Sequence, residues 1–191
     1  MTNALHSQAT DEHGSPAQIV SLAIAVGGRV DTDPCTSHYW NHHGPKARIA
    51  WTVDDNGLVR PWEGFVLCNP PGANKDRGTR SLVRPFWERL VTDWRSGKID
   101  GALWVGYSLE SLVQLQDAPA CPTQFPTVIP ASRLCFLYRP EGGGPPMPGT
   151  SPTHGNYATL LPSRRDRGLA KEQMATFVSL AGKLGALVRP L

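Results

Sequence analysis

Apolar residues occur along this chain in short blocks set off by polar and turn-forming residues. Ile19, Leu22, Ala23 and Val26 recur at helical spacing. Before them, Ser15 can cap, Pro16 suits the first helical position and Gln18 can close a capping box. Gly27-Gly28 stops the helix. Val30 to Asp33 predicts a short strand ended by Pro34, and Ile49 to Val53 a second strand. His38 to Lys46 reads as loop, and Asp54-Asp55-Asn56-Gly57 as a turn. Gly64 to Cys68 and Gly101 to Tyr107 are continuous apolar runs, the pattern of strands buried on both faces. Asn69-Pro70-Pro71-Gly72 breaks the first run at once.

Ser81 to Ser96 is the strongest helical signal, with Leu82, Val83, Phe86, Trp87, Leu90, Val91 and Trp94 on one apolar face. Leu109 to Leu115 reads as a short helix. Val128 and Leu134 to Tyr138 read as two strands joined through Pro130-Ala131-Ser132-Arg133. Asn156 to Leu161 reads as the final strand and Leu169 to Ala186 as a terminal helix. Ala118 to Pro126 and Glu141 to Pro152 are Pro-rich loops. Strands alternating with helices and ending in closely spaced strands predict an α/β sheet, mostly parallel, with an antiparallel edge hairpin. Residues 1–14 are polar and are expected to be a disordered tail, leaving 15–191 as a single domain.

Composition narrows this picture. The chain has 191 residues, 40% of them hydrophobic, which suits one sizeable core. Its 19 Gly and 18 Pro, in no fixed period, exclude coiled coils, helix bundles and collagen. No stretch of 18 or more apolar residues occurs, so no membrane-spanning helix is expected. The N-terminus lacks a basic start before an apolar run, so no secretory signal is expected. A formal charge of +3 permits nucleic-acid binding without requiring it. Cys35, Cys68, Cys121 and Cys135 form no C-x-x-C pair and are expected to be free thiols.

The sharpest chemical signal is Asn69-Pro70-Pro71 directly after a buried strand. Ligands of open α/β sheets sit outside the carboxyl ends of strands. The two prolines remove two N–H donors and fix φ. The Asn69 amide and the Pro70 carbonyl are then a rigid acceptor pair suited to an exocyclic amino group. The alternative is a Pro-rich turn that only ends a strand. Asp31 and Asp33 also stand at a strand end. They are either acceptors for a cofactor's hydroxyl or amine groups, or solvated acids in a turn. Lys75, Arg77, Arg80 and Arg84 follow the Asn-Pro-Pro turn closely and can bind phosphates. Arg164, Arg165 and Arg167 form a weaker second patch. Cys35, His38, His42 and His43, with Cys68, have residue types and spacing that zinc could use; the other reading is a polar loop.

Several of these segments together resemble the phage-type DNA N6-adenine methyltransferase family. The resemblance runs in order through Ser15-Pro16, Asp31-Thr32-Asp33-Pro34-Cys35-Thr36, Asn41, Asp55-Asn56-Gly57-Leu58, Trp62-Glu63-Gly64-Phe65-Val66 and Cys68-Asn69-Pro70-Pro71. Leu103-Trp104-Val105, Arg133-Leu134-Cys135-Phe136 and Asn156 to Leu161 extend it. It implies a methyltransferase-like, Rossmann-type doubly wound sheet, S-adenosylmethionine as cofactor and adenine in DNA as substrate, flipped from the duplex. It also implies a cytoplasmic location in a bacterial host. Ser15, Pro16, Asp31, Asp33 and Asn41 would border the cofactor, and Asn69, Pro70 and Pro71 would hold the adenine amino group. Gly72 stands where that family carries an aromatic residue that stacks on the base. Tyr107, Tyr39 or Trp40 could supply that ring instead. Gly72, Lys75, Arg77, Arg80 and Tyr107 are thus the candidate DNA contacts, and no metal is assigned. Two other functions remain open: a degenerate or retargeted nucleic-acid or nucleotide binder, and a zinc-stabilised nucleic-acid module.

Overall fold

A computed structural model of the chain describes residues 13–71, 81–141, 144–149 and 155–188. Among them the order is α1 (Ala17–Gly27), β1 (Thr32–Asp33), α2 (His38–His43), β2 (Ile49–Ala50), β3 (Phe65–Cys68), α3 (Val83–Arg95), β4 (Gly101–Gly106), α4 (Leu109–Val113), β5 (Thr127–Pro130), β6 (Leu137–Tyr138), β7 (Met147–Pro148), β8 (Tyr157–Leu161), α5 (Arg167–Ala181) and β9 (Gly185–Val188). One seven-stranded sheet has the order β2-β1-β3-β4-β8-β5-β9, and β6 and β7 form a separate antiparallel ribbon. β2, β1, β3 and β4 are parallel neighbours. β8 runs against both β4 and β5, and β9 against β5. The fold is therefore α/β with a mixed, mostly parallel sheet.

The two continuous apolar runs became β3 and β4, every residue of which is buried. Their alternate side chains feed two cores, as the period of a strand requires. Phe65, Leu67, Leu103 and Val105 pack with α1 and α5 on one face. Val66, Cys68, Ala102 and Trp104 pack with Val83, Phe86, Trp87 and Leu90 of α3 on the other. Helices thus cover both faces of the sheet, which is why neither strand shows polar alternation.

Four expectations need correcting. The antiparallel part is not an edge hairpin: β5 does not pair with β6, and β8 is inserted between β4 and β5. Val128 is fully buried in the core on one face of the sheet, and β8 and β9 flank β5 within it. Leu137 and Tyr138 are only half-buried and suit a surface ribbon. The terminal helix ends at Ala181, and Gly185–Val188 returns as an edge strand with alternate residues exposed. His38–His43 is a short helix rather than loop, because the Ser37 hydroxyl caps it by accepting from the Trp40 N–H and Trp40 anchors it in the core. Ser15 does not cap α1; Pro16 occupies that position, and its carbonyl accepts from the N–H groups of Ile19 and Val20.

Gly14, the last residue of the expected tail, is buried and exchanges two backbone hydrogen bonds with Leu137 of the ribbon. None of the described helices is long and apolar enough to cross a membrane.

Candidate active site

The sheet changes direction between β1 and β3. From β1 the chain moves outward to β2; from β3 it moves the other way to β4. Ligands bind at the carboxyl ends of strands beside such a reversal. The residues that follow β1 and β3 are Pro34-Cys35 and Asn69-Pro70-Pro71. Their proximity is direct: the Cys35 and Cys68 Sγ atoms are 3.9 Å apart.

Asp33 closes β1 and is 5% exposed. Its Oδ1 accepts from the Cys35 N–H at 3.1 Å. Among the described residues no cation pairs with it. Burial pushes its carboxyl up to about 7, against the opposing effect of hydrogen bonds from the Cys35 N–H and the Thr36 side chain. Burial likewise pushes the Cys35 thiol up, helped by the Cys68 thiol and by Asp33. Asn69 is half-buried, Pro70 buried and Pro71 exposed. The Asn69 side chain makes no hydrogen bond to another described residue.

The turn after β2 holds the end of β1 in place. Gly57 lies so close to the Pro34 carbonyl that a Cβ would overlap it. The Trp62 indole donates to the Gly57 carbonyl at 2.8 Å. The Arg89 guanidinium donates to the carbonyls of Leu58 and Arg60 and lies over the Trp62 ring. The Asp-Asn-Gly-Leu segment is therefore a support beneath the candidate site.

The other predicted residues separate into groups. Tyr107 directly follows β4, on the same edge as Asn69; β4 extends two residues past Trp104, the partner of Cys68. Burial, followed by the Glu110 carboxylate, pushes the Tyr107 phenol up. Ser15 and Pro16 also belong to this edge. Gly27, at the far end of α1, packs on Phe65 at the start of β3, and Gly14 lies flat against Trp40 of α2. Asn41 is otherwise engaged: its amide donates to the Ala47 carbonyl and accepts from the Ala47 N–H, closing the loop after α2.

Asp31 sits at the opposite, amino end of β1. It accepts from the Phe65 N–H at 2.9 Å and pairs with Arg29 at 2.6 Å. Gly64 reaches this carboxylate with φ +61, and a Cβ there would overlap it. Gly72, Lys75, Arg77 and Arg80 lie outside the described residues. Arg84 is paired with Glu88 and Asp117. Arg164 and Arg165 follow β8 and lie at the amino edge, where Arg164 covers Trp94 and Arg165 pairs with Asp100.

No group of three or more His, Cys, Asp and Glu side chains is gathered for a metal among the described residues. His42 and His43 instead pack against each other, and His43 against Tyr39.

Two features of this edge escaped the sequence reading, in which Trp40 entered only as a candidate stacking ring. The Trp40 indole N–H is buried and has no partner among the described residues. Asn156 is 6% exposed; its amide donates to the Tyr107 carbonyl and accepts from the Leu134 N–H. The only sequence signals were a Trp within a polar segment and an Asn preceding an apolar run. No family model, no curated protein and no solved structure matches the chain.

Proposed function

We propose that the protein transfers a methyl group from S-adenosylmethionine to the N6 amino group of adenine in DNA. The observation that carries this reading is the pair of neighbouring strand ends. A buried carboxyl, Asp33, and a rigid acceptor pair, Asn69 and Pro70, follow adjacent parallel strands where the sheet reverses. Helices on both faces of a mostly parallel sheet support the Rossmann-type, methyltransferase-like reading of the fold.

The residues present fit the cofactor. Asp33 has acceptor capacity left over for an ammonium or ribose hydroxyl. The Trp40 indole N–H is a buried donor without a described partner, and such a group costs about 1–3 kcal/mol until an acceptor arrives. Ser15 and Pro16 border the same edge. When bound, S-adenosylmethionine supplies an electrophilic methyl group on a sulfonium.

The chain's own residues then position the nucleophile. Asn69 Oδ1 and the Pro70 carbonyl accept from the two N–H bonds of the adenine amino group. That draws the nitrogen lone pair out of conjugation with the ring and leaves it facing away from both acceptors. Pro70 and Pro71 carry no N–H, so no backbone donor competes for that lone pair. No general base is required before transfer, because the amino nitrogen becomes acidic only after it has been alkylated. Catalysis is positioning and preorganised electrostatics. Tyr107 offers a ring beside a flipped base. In this reading Lys75, Arg77 and Arg80 contact DNA phosphates.

The test is incubation with methyl-labelled cofactor and unmethylated DNA, followed by nucleoside analysis. Label in N6-methyldeoxyadenosine is expected. Label on another base would overturn adenine as the target, and absence of cofactor binding at millimolar concentration in calorimetry would overturn methyl transfer itself.

A further inference from the structure

A cleft of about 430 Å³ opens on the same edge of the sheet, beyond Tyr107. Its walls include Leu109 at the start of α4 and Ile129 and Pro130 at the end of β5; Glu110, Ser132 and Arg133 supply polar groups. That volume lies within the range of small-ligand sites. Asn156 lines the cleft as well and ties it to the candidate base pocket, since one amide holds both the Tyr107 carbonyl and the Leu134 N–H.

We propose that this cleft receives the base of a second nucleotide of the strand whose adenine lies at Asn69. The inference rests on the function proposed above. Its chemistry comes from the lining. Apolar walls suit the face of a heterocycle. A carboxylate and a guanidinium together suit a base edge that carries both donors and acceptors.

Its geometry comes from the sheet. β3 and β5 are separated by β4 and β8, so their ends lie three interstrand spacings apart, about 14 Å. Stacked nucleotides advance only about 3.4 Å each. A nucleotide adjacent to the adenine can reach the cleft only when the two bases are unstacked. The cleft therefore selects single-stranded or locally opened DNA and adds affinity only to substrates longer than one nucleotide.

The test compares deoxyadenosine monophosphate with a trinucleotide carrying a central adenine and mixed flanking bases, by calorimetry on the full chain with S-adenosylhomocysteine present. The trinucleotide should bind at least tenfold more tightly. Arg133→Ala and the cleft-filling Leu109→Trp should each reduce that gain below threefold and leave mononucleotide and cofactor affinity unchanged. Abasic flanks should also lose the gain. If both variants keep the trinucleotide gain, or if abasic flanks retain it, the cleft is not a base subsite, whatever the function. If trinucleotides bind in a cleft-dependent way but neither cofactor nor mononucleotide binds, the methyltransferase reading fails and the cleft stands.

Discussion

Asp31 and Asp33 are two residues apart, flank the same short strand and are both nearly buried, yet they are held in opposite ways. Asp31, at the amino end of β1, is tied to the Phe65 N–H and Arg29, with Arg48 3.9 Å away. Asp33, at the carboxyl end, has only the Cys35 N–H and Thr36 as hydrogen-bond donors, and burial drives its carboxyl up to about 7. The first carboxylate joins strands; the second is left with capacity for a ligand. Among the described residues, ion pairs such as Arg165–Asp100 lie at the sheet's amino edge, while its carboxyl edge carries Asn69, Tyr107, the Trp40 indole and the cleft.

This contrast can be broken in measurable ways. The largest effect belongs to the carboxyl edge and concerns activity. Asn69→Ala should reduce methyl transfer by about 10²–10³-fold, the usual loss when one preorganised polar contact to the reacting group is removed. Cofactor affinity should stay within about threefold; a collapse of cofactor binding would place Asn69 in the wrong half of the pocket. At the amino edge, Asp31→Ala should lower stability by about 1–3 kcal/mol, since it leaves the buried Phe65 N–H without its acceptor. For a chain of this length the melting temperature falls roughly 2–4 °C per kcal/mol. Equal losses from Asp31→Ala and Asp33→Asn in thermal melts would erase the distinction between the two ends.

Asp33 predicts a pH signature of intermediate size. Its folded-state pKa is raised above the unfolded value, so its contribution to apo stability is fully present below pH 3.8 and is lost as pH rises to about 7. Asp33→Asn should flatten that slope and raise the apo melting temperature at pH 8, while weakening cofactor binding by about tenfold, consistent with a lost hydrogen bond to a charged group. A wild-type melting temperature that does not fall between pH 4 and 7 would refute the unpaired state of this carboxyl. The smallest effect is at Cys35. Its raised pKa should make alkylation at pH 8 slower than for an unperturbed thiol, as peptide mass spectrometry after timed iodoacetamide exposure would report.

Much of the fold was legible wherever a segment carried its own signal. Phe65–Cys68 and Gly101–Gly106 read as buried strands because both faces are covered and every residue is apolar or small. The α3 helix read correctly because its apolar stripe faces the sheet. Gly185–Val188 did not, because it has only four residues directly after a helix and its side chains alternate weakly at an edge. The Leu134 to Tyr138 strand was placed in the wrong sheet because strand pairing is a long-range choice. Leu137 pairs with Gly14 and Pro148, far away in sequence.

The candidate site divides along the same line. Local sequence by itself determined that Asn69-Pro70-Pro71 would end a buried strand as a rigid acceptor pair, since proline chemistry acts on its own backbone. It also determined that Asp33 would stand at the end of a short strand before Pro34. Only the tertiary structure decided that these two strand ends are neighbours, with Cys35 and Cys68 in contact. It alone decided that Asp31 is engaged in binding β3, that Asn41 closes a loop and that Asn156 couples Tyr107 to a second cleft. Each of those outcomes depends on which distant backbone group comes within hydrogen-bond reach, and no periodicity or local propensity encodes that.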